Sequence, residues 1–323
     1  MKIVHKGILP ILLVSSFLSA CNDENNTNTT VQQPAPNQQI PEIPNTQPPN
    51  PPPSKPDYLE SSLYDINEEN LSPNQDNRQM FLILHYTAVT KQRTLELFND
   101  PTYPASSHYL IPELPESNGK FTVYRLVPDN KRAWHTGASS WQTNASLNAS
   151  SIGIEIENLG FPEADENKPL MLRSWYPYSS KEQIKVLADV ILKVTQKYDI
   201  RTDRILGHSD IAPGRKTDPG PLFPWEELYN TYNIGTWYDY ETVNYYRLNA
   251  PWNGDVKTLQ NKLASYGYNI SATGEYNQVT QNVVSAFQMH FYPQKYDGIA
   301  DVETVARLDA LLEKYRAQQR PSS

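Results

Sequence analysis

Cysteine is nearly absent: the chain of 323 residues has one, Cys21. A single thiol excludes an internal disulfide and any Cys-rich zinc site, so a bound metal has to be held by histidine and carboxylate. Basic residues are outnumbered, 28 Lys+Arg against 36 Asp+Glu, for a formal net charge of −8. Nucleic acid requires a basic face, and this balance excludes it as a partner. The apolar stretch from Ile8 to Leu18 is too short to span a bilayer comfortably as a permanent helix. Proline, by contrast, is plentiful and uneven: ten of the 27 fall between Asn22 and Pro56.

Residues 1–20 read as an export signal, with Lys2 and Lys6 ahead of the apolar stretch and small residues after it. The lone cysteine then stands where cleavage would fall, in Leu18-Ser19-Ala20-Cys21. This run resembles a bacterial lipobox, which implies an acylated Cys21 as the new amino terminus; the alternative is an ordinary secretion signal with an incidental cysteine. Asn22, rather than Asp, follows it, which by the same resemblance implies a periplasmic protein anchored by lipid to a Gram-negative outer membrane. Residues 21–57 are rich in Asn, Gln and Pro and have nothing with which to build a core, so they are expected to be a disordered tether with polyproline-II stretches.

Residues 58–246 alternate strand-like and helix-like patterns, predicting an α/β domain around one sheet. Phe81 to Leu84 is a short apolar run of the kind buried on both faces, and Phe121 to Val127 is another candidate strand. In Ser151 to Glu157 isoleucines alternate with Gly153, Glu155 and Glu157, placing both carboxylates on one face. Ser179 to Tyr198 reads as an amphipathic helix, with Ser180 and Gln183 as a capping box. After a junction at 244–253, residues 250–316 carry three helical periodicities, two of them preceded by a glycine-led turn at Gly274 and Gly298.

Six histidines are present. With His5 in the signal and His290 in the tail, His85, His108, His135 and His208 remain. His85 ends a predicted buried strand and His208 opens a loop rich in Pro, Gly and charge. Two histidines at strand ends among several carboxylates fit a His/His/carboxylate zinc site with a position left for water. Such a site supports amide or ester hydrolysis: the metal activates water and polarises a carbonyl, a carboxylate moves the proton, and a cation steadies the oxyanion. Spacing alone does not separate Glu155 from Glu157. Asp210 either orients the His208 ring or caps the next turn, and His108 reads as structural, beneath the site.

The runs His85-Tyr86-Thr87-Ala88, Ser107-His108-Tyr109-Leu110-Ile111, Ala133-Trp134-His135-Thr136-Gly137, Ile152-Gly153-Ile154-Glu155-Ile156, Gly207 to Gly220 and Phe223-Pro224-Trp225 together resemble the zinc-dependent N-acetylmuramoyl-L-alanine amidases of the type-2 group, relatives of the peptidoglycan recognition proteins. The resemblance implies a central mixed sheet flanked by helices and one zinc ion held by His85, His208 and Asp218. It also implies Glu155 as the catalytic carboxylate and Lys216 as the oxyanion partner. Tyr86, Trp134 and His135 are the candidate substrate contacts, with packing as the alternative for His135. The segment Phe161 to Tyr178 departs from compact members as a long loop. The tail resembles the three-helix peptidoglycan-binding module, implying a small helical domain at 250–316 that binds wall polymer or only stabilises. The implied activity is cleavage of the amide between N-acetylmuramic acid and L-alanine in wall turnover or recycling, with peptidoglycan and muropeptides as partners. One alternative is a non-catalytic recognition protein, although this chain keeps every ligand and the general base. Another is a non-haem iron oxygenase using His208-Ser209-Asp210, for which His290 is the only histidine downstream.

Overall fold

The computed structural model describes residues 61–320. The expected signal, Cys21 and the tether lie outside the described residues, as do residues 58–60. The chain divides into two units, Met1–Asp76 and Asn77–Ser323, and every helix and strand described belongs to the second. Among the described residues no helix is long and apolar enough to cross a membrane.

In chain order the elements are β1 (Phe81–Tyr86), α1 (Lys91–Phe98), β2 (Tyr109–Ile111), β3 (Tyr124–Arg125), β4 (Ser140–Trp141), β5 (Asn144–Ala145), β6 (Ser151–Ile156) and α2 (Lys181–Tyr198). There follow β7 (Ile205–Gly207), α3 (His208–Ile211), α4 (Trp225–Tyr232), α5 (Tyr240–Asn249), α6 (Val256–Tyr266), α7 (Gln278–Phe291) and α8 (Val302–Arg316). Five strands form one sheet in the order β3-β2-β6-β1-β7, and β4 pairs with β5 in a separate hairpin. Strands β2, β6, β1 and β7 run parallel while β3 is antiparallel to β2, so the sheet is mixed. Its two central strands are buried on both faces, which is why Phe81 to Leu84 reads as a continuous apolar run. The strand expected over Phe121 to Val127 shrinks to two residues, because its partner β2 offers only three.

Helix α2 buries Ile184, Leu187, Ile191 and Val194 of the stripe expected from its 3.6-residue period, and Ala188 with them, while Tyr198 at its end is only half-buried. Ser180 caps it, its hydroxyl accepting from the Gln183 N–H at 3.1 Å. The expected box is only half formed, since the Gln183 amide donates instead to the Glu157 carbonyl at 3.0 Å. The C-terminal helices α6, α7 and α8 share one continuous core with the sheet half; Trp141, Leu259, Phe287 and Leu311 belong to the same buried cluster. Helix α5, which straddles the expected junction, packs on α8.

A buried carboxylate ties α2 to β2. Asp129 accepts from the Tyr109 hydroxyl at 2.6 Å, from Lys197 Nζ at 2.9 Å and from the Tyr198 hydroxyl at 2.8 Å. Burial pushes this carboxyl up, but the three donors outweigh it and hold it at about 2. A carboxyl depressed below its unfolded value of about 3.9 stabilises the fold above that pH and loses the contribution as pH falls towards about 2. Asp129→Asn is expected to cost on the order of 1 kcal/mol at neutral pH, a modest figure because solvent reaches Lys197 and screens the pair. Urea denaturation across this acid range should show a flatter limb in the variant; an unchanged limb contradicts the assignment.

Candidate metal centre

The parallel register assembles the site. His85 pairs with Glu155 across β1 and β6, so their side chains rise from the same face in neighbouring strands. On the other side of β1, Gly207 pairs with Leu84, which delivers His208 beside His85 as the chain turns into α3. All three therefore stand at the carboxyl ends of adjacent parallel strands, where open α/β sheets bind their ligands. Asp218 returns through a loop closed by the Ser209 N–H donating to the Asp218 carbonyl at 2.9 Å.

His85, His208 and Asp218 form the one group among the described residues able to hold a metal ion, and all three are buried. His85 Nδ1 lies 2.8 Å from Asp218 Oδ2, His208 Nδ1 lies 3.0 Å from the same oxygen, and the two Nδ1 atoms are 3.1 Å apart. Ligand atoms on a tetrahedral zinc are separated by roughly 3.3 Å, given bonds of about 2.0–2.1 Å.

Proton placement decides between a hydrogen-bonded cluster and a metal site. The Ser151 hydroxyl donates to the Leu147 carbonyl at 2.6 Å, so its oxygen accepts from His135 Nε2–H at 3.1 Å. His135 Nδ1 is then a bare acceptor, and it receives His85 Nε2–H at 2.9 Å. His208 Nε2 donates to the Thr136 carbonyl at 3.0 Å. In both neutral rings the proton is on Nε2, which leaves the two Nδ1 lone pairs facing each other and the Asp218 carboxylate. Burial holds the His208 ring neutral, pushing it down to about 4 against the pull of Asp218. Three converging electron pairs are the donor set of a cation, and a borderline-soft ion taking two imidazoles and a carboxylate in a compact cluster is zinc.

Glu155 is 6 % exposed, and burial pushes its carboxyl up to about 7, with the nearby Asp218 carboxylate adding to the rise. Glu157, indistinguishable from it by spacing, is already occupied: its oxygens accept from the Lys91 N–H at the start of α1 and from the Glu113 N–H at 2.8 Å. Lys216 is half-buried, and burial draws its ammonium down. Tyr86 bonds Thr217 through its hydroxyl at 2.9 Å, with Gly160 against its ring. Trp134 is 52 % exposed.

His135, expected at the substrate, is buried behind His85 with both ring nitrogens engaged by protein atoms. The space for it comes from Gly153, where a Cβ would lie 2.5 Å from His135 Nδ1. His108 sits beneath, accepting from the Gly153 N–H at 3.0 Å and donating to the Lys131 carbonyl at 3.1 Å. Asp210 turns away from the metal cluster and accepts the Gly207 N–H at 2.8 Å, a cap. The iron-oxygenase arrangement is not formed: His290 does meet Asp210, but His208 Nδ1 points to His85 and Asp218. Sequence reading missed Ser151, Asn148 and the Thr136 carbonyl. Asn148 holds the His135–Thr136 backbone, accepting both N–H groups at 2.9 and 2.8 Å. The segment 161–178 is ordered by two short 3-10 turns, Trp175 packed on Phe161, and Asp165 capping the Ser174 N–H.

The family model described as "N-acetylmuramoyl-L-alanine amidase" matches residues 75–221, and one described as "Putative peptidoglycan binding domain" matches residues 253–308. N-acetylmuramoyl-L-alanine amidase AmiD of Escherichia coli (strain K12) is 40% identical over 237 residues, 72% of this chain and 82% of that protein. 1,6-Anhydro-N-acetylmuramyl-L-alanine amidase AmpD of Enterobacter cloacae is 39% identical over 107 residues, 33% of this chain and 49% of its own length. Among solved structures, E. coli AmiD in complex with the substrate anhydro-N-acetylmuramic acid-L-Ala-D-gamma-Glu-L-Lys aligns with a TM-score of 0.71 at 37% identity, covering 79% of this chain and 97% of that one. AmpDh3 of Pseudomonas aeruginosa in complex with anhydromuramic pentapeptide gives 0.68 at 38% identity, covering 78% and 98%.

If His135 sets the proton on His85, His135→Ala should weaken zinc binding by about 10- to 100-fold in competition with a chromogenic chelator. Wild-type affinity in that variant contradicts the arrangement.

Proposed function

Because the chain belongs to the N-acetylmuramoyl-L-alanine amidase family, we propose a specific division of labour for its hydrolysis of the amide between N-acetylmuramic acid and L-alanine. The carrying observation is the convergence of His85 Nδ1, His208 Nδ1 and Asp218 Oδ2 within 3.1 Å, with Glu155 in register beside His85. A zinc ion held there supplies Lewis acidity, making water nucleophilic near neutral pH and polarising the scissile carbonyl.

Glu155 is the group that takes the proton from the attacking water and returns it to the departing L-alanine amine. Its place in the strand next to His85, and the commitment of Glu157 to backbone donors, support this choice. Lys216, in the loop between His208 and Asp218, directs a positive charge at the developing oxyanion. Tyr86, fixed through Thr217, and the half-exposed Trp134 are the substrate contacts, aromatic surfaces of the kind suited to a sugar ring or a short peptide. The substrates named in the AmiD and AmpDh3 complexes support 1,6-anhydromuramyl peptides as one accepted class, with a place in wall turnover or recycling. The non-catalytic reading has no support: the His85–His208–Asp218 cluster is complete.

The amino-terminal pattern supports anchoring by lipid at Cys21, on the periplasmic side of an outer membrane, with residues 21–57 as tether.

Glu155→Gln is expected to retain zinc at wild-type stoichiometry while lowering turnover of defined anhydromuropeptides by about 10²- to 10⁴-fold, read by mass spectrometry of the products. Turnover equal to wild type removes Glu155 from this role. Full-length protein expressed in a Gram-negative host should fractionate with membranes and the Cys21→Ser form with the soluble periplasm; identical fractionation contradicts the anchor.

A further inference from the structure

The region matched to a peptidoglycan-binding module sends two polar side chains into the amidase half. The Tyr268 hydroxyl donates to Asp210 Oδ1 at 2.7 Å, and His290 Nδ1–H donates to Asp210 Oδ2 at 2.8 Å. Oδ2 also takes the Gly207 N–H at 2.8 Å, so one carboxylate, 1 % exposed, receives three donors. Two of these come from the far end of the chain. A buried carboxylate is tolerated only when its oxygens are satisfied, so the C-terminal region supplies most of what keeps Asp210 inside.

Asp210 is not a passive passenger. Its side chain reaches back to the backbone N–H that immediately precedes His208, fixing the turn from β7 into α3. His208 is the first residue of α3, and the direction of its ring follows from that turn. The two donors are themselves rigidly held. The His290 ring is stacked between Trp225 and Phe291, both at 3.9 Å between centroids. Tyr268 packs edge-on against Trp141 at 4.9 Å, and Gly267 leaves no room for a Cβ, which would lie 2.5 Å from that indole. The Gln142 N–H donates to the Gly267 carbonyl at 2.7 Å, closing the junction at the β4–β5 hairpin.

We propose that Tyr268 and His290 are positioning residues for the metal site: through Asp210 they hold the β7–α3 turn that aims His208. The helical region is then part of the scaffold of the amidase centre, whatever glycan it also binds. This rests on His208 as a zinc ligand, and the experiment below separates the two claims.

Zinc affinity is measured on the full chain by competition with a chromogenic chelator, alongside kcat and KM on a defined muropeptide and the Tm of each protein. Tyr268→Phe removes one hydroxyl and Asp210→Asn removes the shared charge; both are expected to weaken zinc binding by roughly tenfold and to lower kcat with KM unchanged. Val283→Ala, a cavity in α7 at a residue buried in the same helix as His290, lowers Tm without touching Asp210 and should leave zinc affinity unchanged. Wild-type zinc affinity in Tyr268→Phe and Asp210→Asn overturns the proposal, as does an equal loss in Val283→Ala, since the region would then act only through global stability. His208→Ala should lose zinc outright; if it binds zinc like the wild type, the ligand assignment itself has failed.

Discussion

Three electron-rich atoms held within about 3 Å of one another are the constraint on which the rest of the structure turns. Two neutral imidazoles and a carboxylate do not converge in this way to bond each other, because each ring has already spent its proton elsewhere. His85 donates backwards to His135, and His208 to the Thr136 carbonyl. The inward side of both rings is left with lone pairs alone. That arrangement is unfavourable for the bare chain and favourable around a divalent cation, which is how a metal site couples its own binding to the fold. It also explains why Ser151, a polar group that looks incidental, is buried near the centre.

The supporting architecture is economical. A parallel sheet puts consecutive strand ends side by side, so one residue from each of β6, β1 and β7 builds a row: Glu155, His85 and His208. Gly153 opens the space beneath Glu155 into which His135 fits, and His108 closes the floor by bonding the Gly153 backbone. From the opposite side, Asp210 fixes the turn that carries His208 and is itself held by Tyr268 and His290. The ligands are thus steadied from behind on two sides, by the sheet and by the C-terminal helices.

Much of this was legible in the chain. The apolar run Phe81 to Leu84 and the alternation through Ile152, Ile154 and Ile156 follow from burial and strand period, and both strands form. The ligand set came from motif resemblance, because three residues separated by 123 and 10 positions have no local signature. Other features were invisible for physical reasons. The Thr136 carbonyl is backbone, and no side-chain pattern marks it. Glu155 and Glu157 share a face, so spacing does not separate them; motif resemblance pointed to Glu155, and the backbone amides of Lys91 and Glu113 supply the physical reason by occupying Glu157. His135 was open between substrate contact and packing; its ring turns inward where Gly153 makes room, while Trp134 beside it is exposed. The expected tail module likewise hid its inward-facing groups: nothing in the sequence marks Tyr268 or His290 as partners of Asp210, and only the packed structure shows them meeting it.

The metal site depends on where three histidine protons reside, and nitrogen NMR of the rings reads that directly. In zinc-loaded, selectively labelled protein at neutral pH, His85, His135 and His208 should each be neutral with the proton on Nε2, and the Nδ1 resonances of His85 and His208 should shift on metal loading. A proton on Nδ1 of either His85 or His208 in the loaded protein would contradict the account, because the lone pair assigned to the metal would not exist.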